Sequence, residues 1–278
     1  MDVKPVSGYL SQLPACADPF LSAIAVFGME TDRLIALEAD YKVEAYSPSL
    51  FVACDIDFPS RLAGAVAKRQ GEFLAGRVLA RAALECLRRG NVPIAIGDQG
   101  APVWPIGISG SISHSHGKCV CLLVADENRL VGIDVEKVAT GAALDAILKE
   151  ALSAEERNLV LWQTRFDAAL LATLIFSAKE TIFKALHPVV RQFFGFDAAI
   201  FNGIGDDDRL RFSIVQSLDE CMPKNAEIRI DFETDGGFAR TWAILDRHML
   251  EPRAGSAVLF QSLRRPRPST AQRSDRTD

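Results

Sequence analysis

The chain reads as an α+β protein built in two halves. Three observations carry that reading: an apolar period of three to four over a long first-half helix, a cluster of short strands after it, and the same order of helices then strands in the second half. Its 278 residues are enough for two packed units and a sizeable core. The 49% hydrophobic and 24% charged composition is that of a folded soluble chain.

In chain order, apolar runs place strands at Leu21 to Phe27 and Leu50 to Cys54. From about Pro59 to Arg89 the positions Leu62, Val66, Phe73, Ala80, Leu84 and Leu87 form one face of a long helix, ended by Gly90-Asn91-Val92-Pro93. Residues 97–110 are rich in Gly and Pro and read as loop. Strands follow at Ser111 to Ser113, Lys118 to Val124 and Leu130 to Val135, with Gly117 and Asp126-Glu127-Asn128 as turns. The junction of the halves is expected just after them, giving units of residues 1–138 and 139–250.

The second half is expected to hold helices at Leu144 to Leu152, after the capping sequence Ser153-Ala154-Glu155-Glu156, and from Asp167 to about Leu186, where Pro188 closes the last. Strands are predicted at Leu210 to Val215, Glu227 to Phe232 and Phe238 to Leu245. Residues 251–278, with six arginines and few large apolar groups, are expected to be a disordered tail.

Several function classes are excluded at this level. The net charge of −5 argues against a dedicated nucleic-acid binder. No run of 18 apolar residues suggests a membrane span, and the N-terminus lacks a basic region followed by an apolar one, so a cytoplasmic protein is expected. The six scattered cysteines suggest neither a disulfide framework nor a zinc site.

Four segments carry chemistry. In Gly132-Ile133-Asp134-Val135-Glu136 a strand puts both carboxylates on one face, where they suit a hard cation such as Mg²⁺ or simply a solvated surface. In Phe176-Ser177-Ala178-Lys179-Glu180-Thr181-Ile182-Phe183-Lys184, the apolar stripe Leu171, Leu174, Ala178, Ile182, Ala185 leaves Glu180 and Lys184 on the other side. Phe176 and Phe183 share that side, which favours a cleft over an exposed ion pair. The loop Gly110-Ser111-Ile112-Ser113-His114-Ser115-His116-Gly117 offers hydroxyl, imidazole and backbone donors to an anion, and its His-x-His pair has no third metal ligand beside it. On the long helix, Arg69 falls within the apolar stripe and Arg77 at its edge, so each needs an acidic or phosphate partner.

Taken in this order, GEFLAGRVLARAAL, GAPVWPIGISGSISHSHG, VGIDVE and FSAKETIFKAL resemble the broad-specificity 4′-phosphopantetheinyl transferases, in particular the branch serving enterobactin-type siderophore synthetases. The resemblance covers residues 60–190 and implies a pseudo-dimer of two similar α+β halves with the active site in the cleft between them. It implies transfer of 4′-phosphopantetheine from coenzyme A to a serine of an apo acyl, aryl or peptidyl carrier protein, releasing 3′,5′-ADP, in a monomeric enzyme. It assigns Mg²⁺ to Asp134, Glu136 and Glu180, and catalysis to Glu180, Lys184 and His114. Coenzyme A contacts fall to Arg69, Arg77, Ser113, His114, Lys179 and Lys184. Many relatives carry a basic residue where this chain has Gln99. The alternatives are a Mg²⁺-dependent phosphohydrolase, or a non-catalytic coenzyme A or nucleotide binding module.

Overall fold

The computed structural model describes residues 17–31, 33–97, 100–218, 224–235 and 237–247. The expected tail at 251–278, Gln99, His248, Cys16 and Cys221 lie outside them. Two antiparallel sheets form the frame. The first joins β1 (Leu21–Thr31), β2 (Leu34–Tyr41), β5 (Ser109–Ser115) and β6 (Lys118–Val124) in the order β1-β2-β6-β5. A separate two-stranded ladder of β3 (Ala95–Ile96) and β4 (Pro102–Val103) precedes β5. The second sheet runs β7-β11-β10-β9-β8, from β7 (Arg129–Lys137), β8 (Ala199–Ile204), β9 (Leu210–Ile214), β10 (Glu227–Asp235) and β11 (Phe238–Asp246).

Each sheet carries one long helix on its outer face. Helix α1 (Ala67–Cys86) packs Leu74, Val78, Leu79 and Leu84 with Cys119, Cys121 and Leu123 of β6. Helix α2 (Ala154–Trp162) and helix α3 (Ala168–Val190) build the other core, where Leu171, Leu174, Ala178 and Ile182 meet Leu210, Phe212, Ile228 and Ile230. Between the sheets lies a third core of Leu34, Val120 and Leu122 from the first with Ile133, Val135, Trp242 and Ile244 from the second. The strand period of two produces this layering: alternate residues of β6 and β7 serve the helix on one side and the opposite sheet on the other.

Gly132 sets how closely α3 lies on β7, because a Cβ there would run into the Thr181 carbonyl. The Gly132→Ala change is therefore expected to cost about 1–3 kcal/mol of overpacking strain, visible as a lower melting temperature. An unchanged melting temperature would show that the helix is free to shift.

The structure departs from the sequence expectations in definite places. Leu50 to Cys54, expected as a strand, sits in the helix Ser49–Ala53, since five apolar residues do not distinguish the two periods. The long first helix begins at Ala67, after a 3₁₀ turn at Ser60–Leu62. Pro188 does not close α3, which continues to Val190 and ends at the left-handed Arg191. Strands β2 and β8 were not anticipated. β7, expected at the end of the first half, pairs with β11, so strand pairing assigns it to the second sheet. No helix among the described residues is long and apolar enough to cross a membrane.

Candidate active site

Strand β7 is an edge strand, and the edge strand β5 of the other sheet faces it through serines rather than through a backbone ladder. Ser111, Ser113 and Ser115 point the same way from β5 because they are two residues apart. Ser111 Oγ accepts from the Ile133 amide at 3.1 Å, Ser113 Oγ donates to Asp134 Oδ1 at 2.7 Å, and Ser115 Oγ donates to Glu136 Oε2 at 2.7 Å. This ladder of hydroxyls holds the two sheet edges together at the GIDVE motif.

Asp134 is its hub. The carboxylate is buried, with Oδ1 also accepting from Lys184 Nζ at 2.6 Å and Oδ2 from Ser177 Oγ at 2.8 Å. Ser177 is in turn bonded to Thr241 Oγ1, and Thr241 Oγ1 to Thr181 Oγ1, so a buried hydroxyl chain backs the acid. Lys184 Nζ donates further to Ser113 Oγ at 2.9 Å and Ile133 O at 3.3 Å. Burial raises the Glu136 carboxyl to about 7, with Asp134 adding to the rise while Ser115 and Lys184 oppose it. Burial likewise raises Glu180, with Lys184 opposing and Asp134 adding. The three carboxylates offer oxygen donors of the kind a hard divalent cation takes. Among the described residues no three His, Cys, Asp or Glu side chains gather into a ready-made metal cluster, and the Lys184 ammonium stands against Asp134.

Beyond Lys184 opens a cavity of about 910 Å³, lined from both halves by α1, residues 100–112, the start of β7 and the C-terminal part of α3. Arg69, Arg77, His114, Lys184, His187 and Arg191 are among its walls; the three acids are not. Arg69 Nη1 lies 3.2 Å from His114 Nε2. A guanidinium only donates, so Nε2 accepts and the imidazole hydrogen is on Nδ1, the nitrogen facing Glu72 at 3.8 Å. Burial holds His114 below its ordinary value, consistent with the neutral ring. Arg77 is 5% exposed and its guanidinium stacks 4.9 Å over Phe73. Burial, with Arg61 second, lowers it to about 10, so it stays charged at neutral pH. Its buried Nη1 has no hydrogen-bond partner among the described residues. A buried guanidinium nitrogen beside an open cavity is one that an anion entering the cavity would satisfy.

Comparison with known proteins meets the same residues. The profile of the 4′-phosphopantetheinyl transferase N-terminal domain matches residues 58–124, and that of the 4′-phosphopantetheinyl transferase superfamily matches residues 130–235. The chain is 32% identical to the 4′-phosphopantetheinyl transferase Npt of Nocardia iowensis over 64% of its own length and 74% of that protein's. The chain belongs to the 4′-phosphopantetheinyl transferase superfamily. It is also 38% identical to the 4′-phosphopantetheinyl transferase PptT of Mycobacterium tuberculosis over 50% of this chain and 60% of that one. With enterobactin synthase component D of Salmonella typhi it shares 36% identity over 50% of this chain and 57% of that one. The matched region thus spans a little over half the length of the latter two.

In this transferase, most of the residues singled out from sequence converge on one place: Asp134, Lys184 and Ser113 touch one another, and Arg69, His114 and Arg77 border the same cavity. Ser113 lies off the cavity wall, bonded to Asp134 and Lys184, and Lys179 departs furthest from the expected coenzyme A contacts. Its ammonium is buried away from the cavity, donating to Glu156 Oε2 at 2.7 Å and to the carbonyls of Ala151 and Phe196. Glu156 also accepts from Ser153 N and Phe201 N, so one buried ion pair joins α2, α3 and β8. Breaking such a pair costs about 3–5 kcal/mol, which makes Lys179 a structural residue. The two arginines exchange the environments expected for them. Arg69 is 55% exposed, being in the first turn of α1, whereas Arg77 lies mid-helix over the sheet. Sequence reasoning passed over Glu72, whose spacing of three from Arg69 was the available signal, and Ser115 and Ser177, whose partners are far away in sequence.

Proposed function

We propose that this transferase moves 4′-phosphopantetheine from coenzyme A to a serine of an apo carrier protein in a Mg²⁺-dependent reaction, and that the two α+β halves act as a pseudo-dimer whose shared cleft is the active site. The observation that carries this reading is the unpaired Arg77 nitrogen in a cavity that runs on to Lys184 and the carboxylates behind it. A long, polyanionic substrate would lie along that path. Arg77 and Arg69 take the 3′-phosphate end, His114 borders the middle phosphate oxygens, and Lys184 takes the phosphate that reacts, with Ser113 behind it bonded to Lys184 and Asp134.

Asp134, Glu136 and Glu180 are the residues that would hold Mg²⁺, and the ion would supply charge neutralisation and Lewis acidity there. Lys184 would leave Asp134 for the phosphate, exchanging one anion for another on the same flexible side chain. The carrier serine attacks the β-phosphate; its P–O bond forms as the bond to 3′,5′-ADP breaks, with Lys184 donating to the oxygens that gain charge and neutral His114, accepting from Arg69, holding that guanidinium toward the bound phosphates. Glu180, its carboxyl raised by burial, accepts the serine proton directly or through a water. Alignment and charge neutralisation supply the rate, and the protein forms no covalent intermediate.

The coenzyme A end is tested by comparing coenzyme A with dephospho-coenzyme A. A charge-assisted hydrogen bond contributes about 1.5–3 kcal/mol, so Arg77→Leu should weaken coenzyme A binding roughly tenfold or more while dephospho-coenzyme A binding stays nearly unchanged. Equal losses for both ligands in calorimetric titrations would make Arg77 a structural residue instead.

A further inference from the structure

Beyond Ser115 the hydroxyl ladder has one more member. His116 Nδ1 lies 2.9 Å from Ser115 Oγ, and the same oxygen donates to Glu136 Oε2 at 2.7 Å. A hydroxyl has one proton, and an ionised carboxylate can only accept. With Glu136 in the ionised form that would hold a cation, the Ser115 proton is committed to Glu136, and the bond to His116 then requires the imidazole to carry a hydrogen on Nδ1. The ring thus orients the hydroxyl that orients the acid.

The backbone gives a separate reason to assign His116 a task. His116 and Gly117 form the two-residue connection between β5 and β6, with φ of 47° and 84°. Such turns need two left-handed residues and favour Asn-Gly. A histidine there is no better suited to the backbone than asparagine or glycine. The turn is anchored independently, by the Tyr41 amide donating to the Gly117 carbonyl at 2.7 Å. The His116 side chain is exposed and the turn does not require it; among the described residues its bond to Ser115 ties it to the site.

We propose that His116 is a positioning residue for the metal site, acting through Ser115 to fix the orientation of the Glu136 carboxylate. The inference rests on the reading of Glu136 as a Mg²⁺ ligand. Partners one step behind a metal ligand typically contribute 10- to 100-fold in affinity, and a group one step further out should contribute less, about three- to tenfold. The effect belongs to the metal, so it should raise the Mg²⁺ concentration needed for half-maximal transfer while leaving turnover at saturating Mg²⁺ close to that of the unmutated chain.

The test uses the full chain with His116→Gly, His116→Asn and Ser115→Ala, read by melting temperature, by calorimetric titration with Mn²⁺ alone, and by the Mg²⁺ dependence of transfer. His116→Gly should keep or raise the melting temperature and weaken Mn²⁺ binding about three- to tenfold. His116→Asn, whose side-chain amide offers a donor from the same backbone, should recover much of that loss. Adding His116→Gly to Ser115→Ala should weaken binding no further. Unchanged Mn²⁺ affinity in His116→Gly, an asparagine as weak as glycine, or additive losses in the double variant would each overturn the proposal. Absence of Mn²⁺ binding in the unmutated chain, with transfer persisting in chelator, would instead remove the metal reading itself and this proposal with it; that outcome is recognised because it needs no substitution.

Discussion

Replacing Asp134 with asparagine is expected to lower transfer by about 10²- to 10³-fold, the size of effect seen when one preorganised charged or polar group is taken from a reacting centre. The substitution keeps the shape of the side chain and one acceptor oxygen, but it removes the charge to which Lys184, Ser113 and Ser177 all point. An amide nitrogen cannot accept, so at least one hydrogen bond is lost outright, that of Ser177 if the nitrogen takes the Oδ2 position, at a cost of about 1–3 kcal/mol. The protein should therefore melt somewhat lower yet remain folded, with a circular dichroism spectrum like that of the parent. Coenzyme A binding, assigned in the proposed function to the arginines across the cavity, should change far less than turnover. Transfer within a few fold of the parent would remove Asp134 from the chemistry and leave it as the structural hub of the serine ladder.

Glu180→Gln separates base from ligand. If Glu180 takes the serine proton, turnover should fall by the 10² to 10⁴ typical of lost general-base catalysis, while coenzyme A still binds within a few fold. If its larger role is to hold the cation, Mg²⁺ affinity should drop and added metal should restore much of the rate. The expected result is both defects, with turnover hit harder, because an acid that holds the cation beside the pyrophosphate is also placed to reach the incoming serine, and burial raises its carboxyl above the ordinary value. Single-turnover rates across a Mg²⁺ series measure the two separately, and near-parental turnover would take the residue out of the site.

The parts of this site that were legible in the sequence are those set by local period. Alternation in GIDVE places Asp134 and Glu136 on one face and Ile133 and Val135 in the inter-sheet core, as the register with β11 has it. The helical period likewise separates Lys184 from the apolar stripe of α3. Lys179 shows where that logic stops. Five residues before Lys184, it turns toward Glu156 of α2, and nothing within α3 foretells a buried carboxylate arriving from another helix. The exchange of environments between Arg69 and Arg77 has a similar cause, since burial along α1 depends on where the sheet ends beneath the helix. The serine ladder was legible only as a set of hydroxyls on one face; its partners come from a strand about 20 residues away, across a contact that no backbone ladder marks. Strands β2 and β8 were missed because interior acids or glycine break their apolar pattern, as Glu38 and Asp40 do in β2 and Gly203 does in β8.

The central claim is that a polyanionic arm bound between the arginines and Lys184 is passed to a serine of another protein. Intact-mass spectrometry of an apo carrier protein incubated with this chain, coenzyme A and Mg²⁺ tests it most directly. The carrier should gain the mass of one phosphopantetheine arm, 3′,5′-ADP should appear in equal amount, and excess chelator or Asp134→Asn should suppress both. A carrier that keeps its mass while coenzyme A is consumed by water would contradict it and identify a phosphohydrolase.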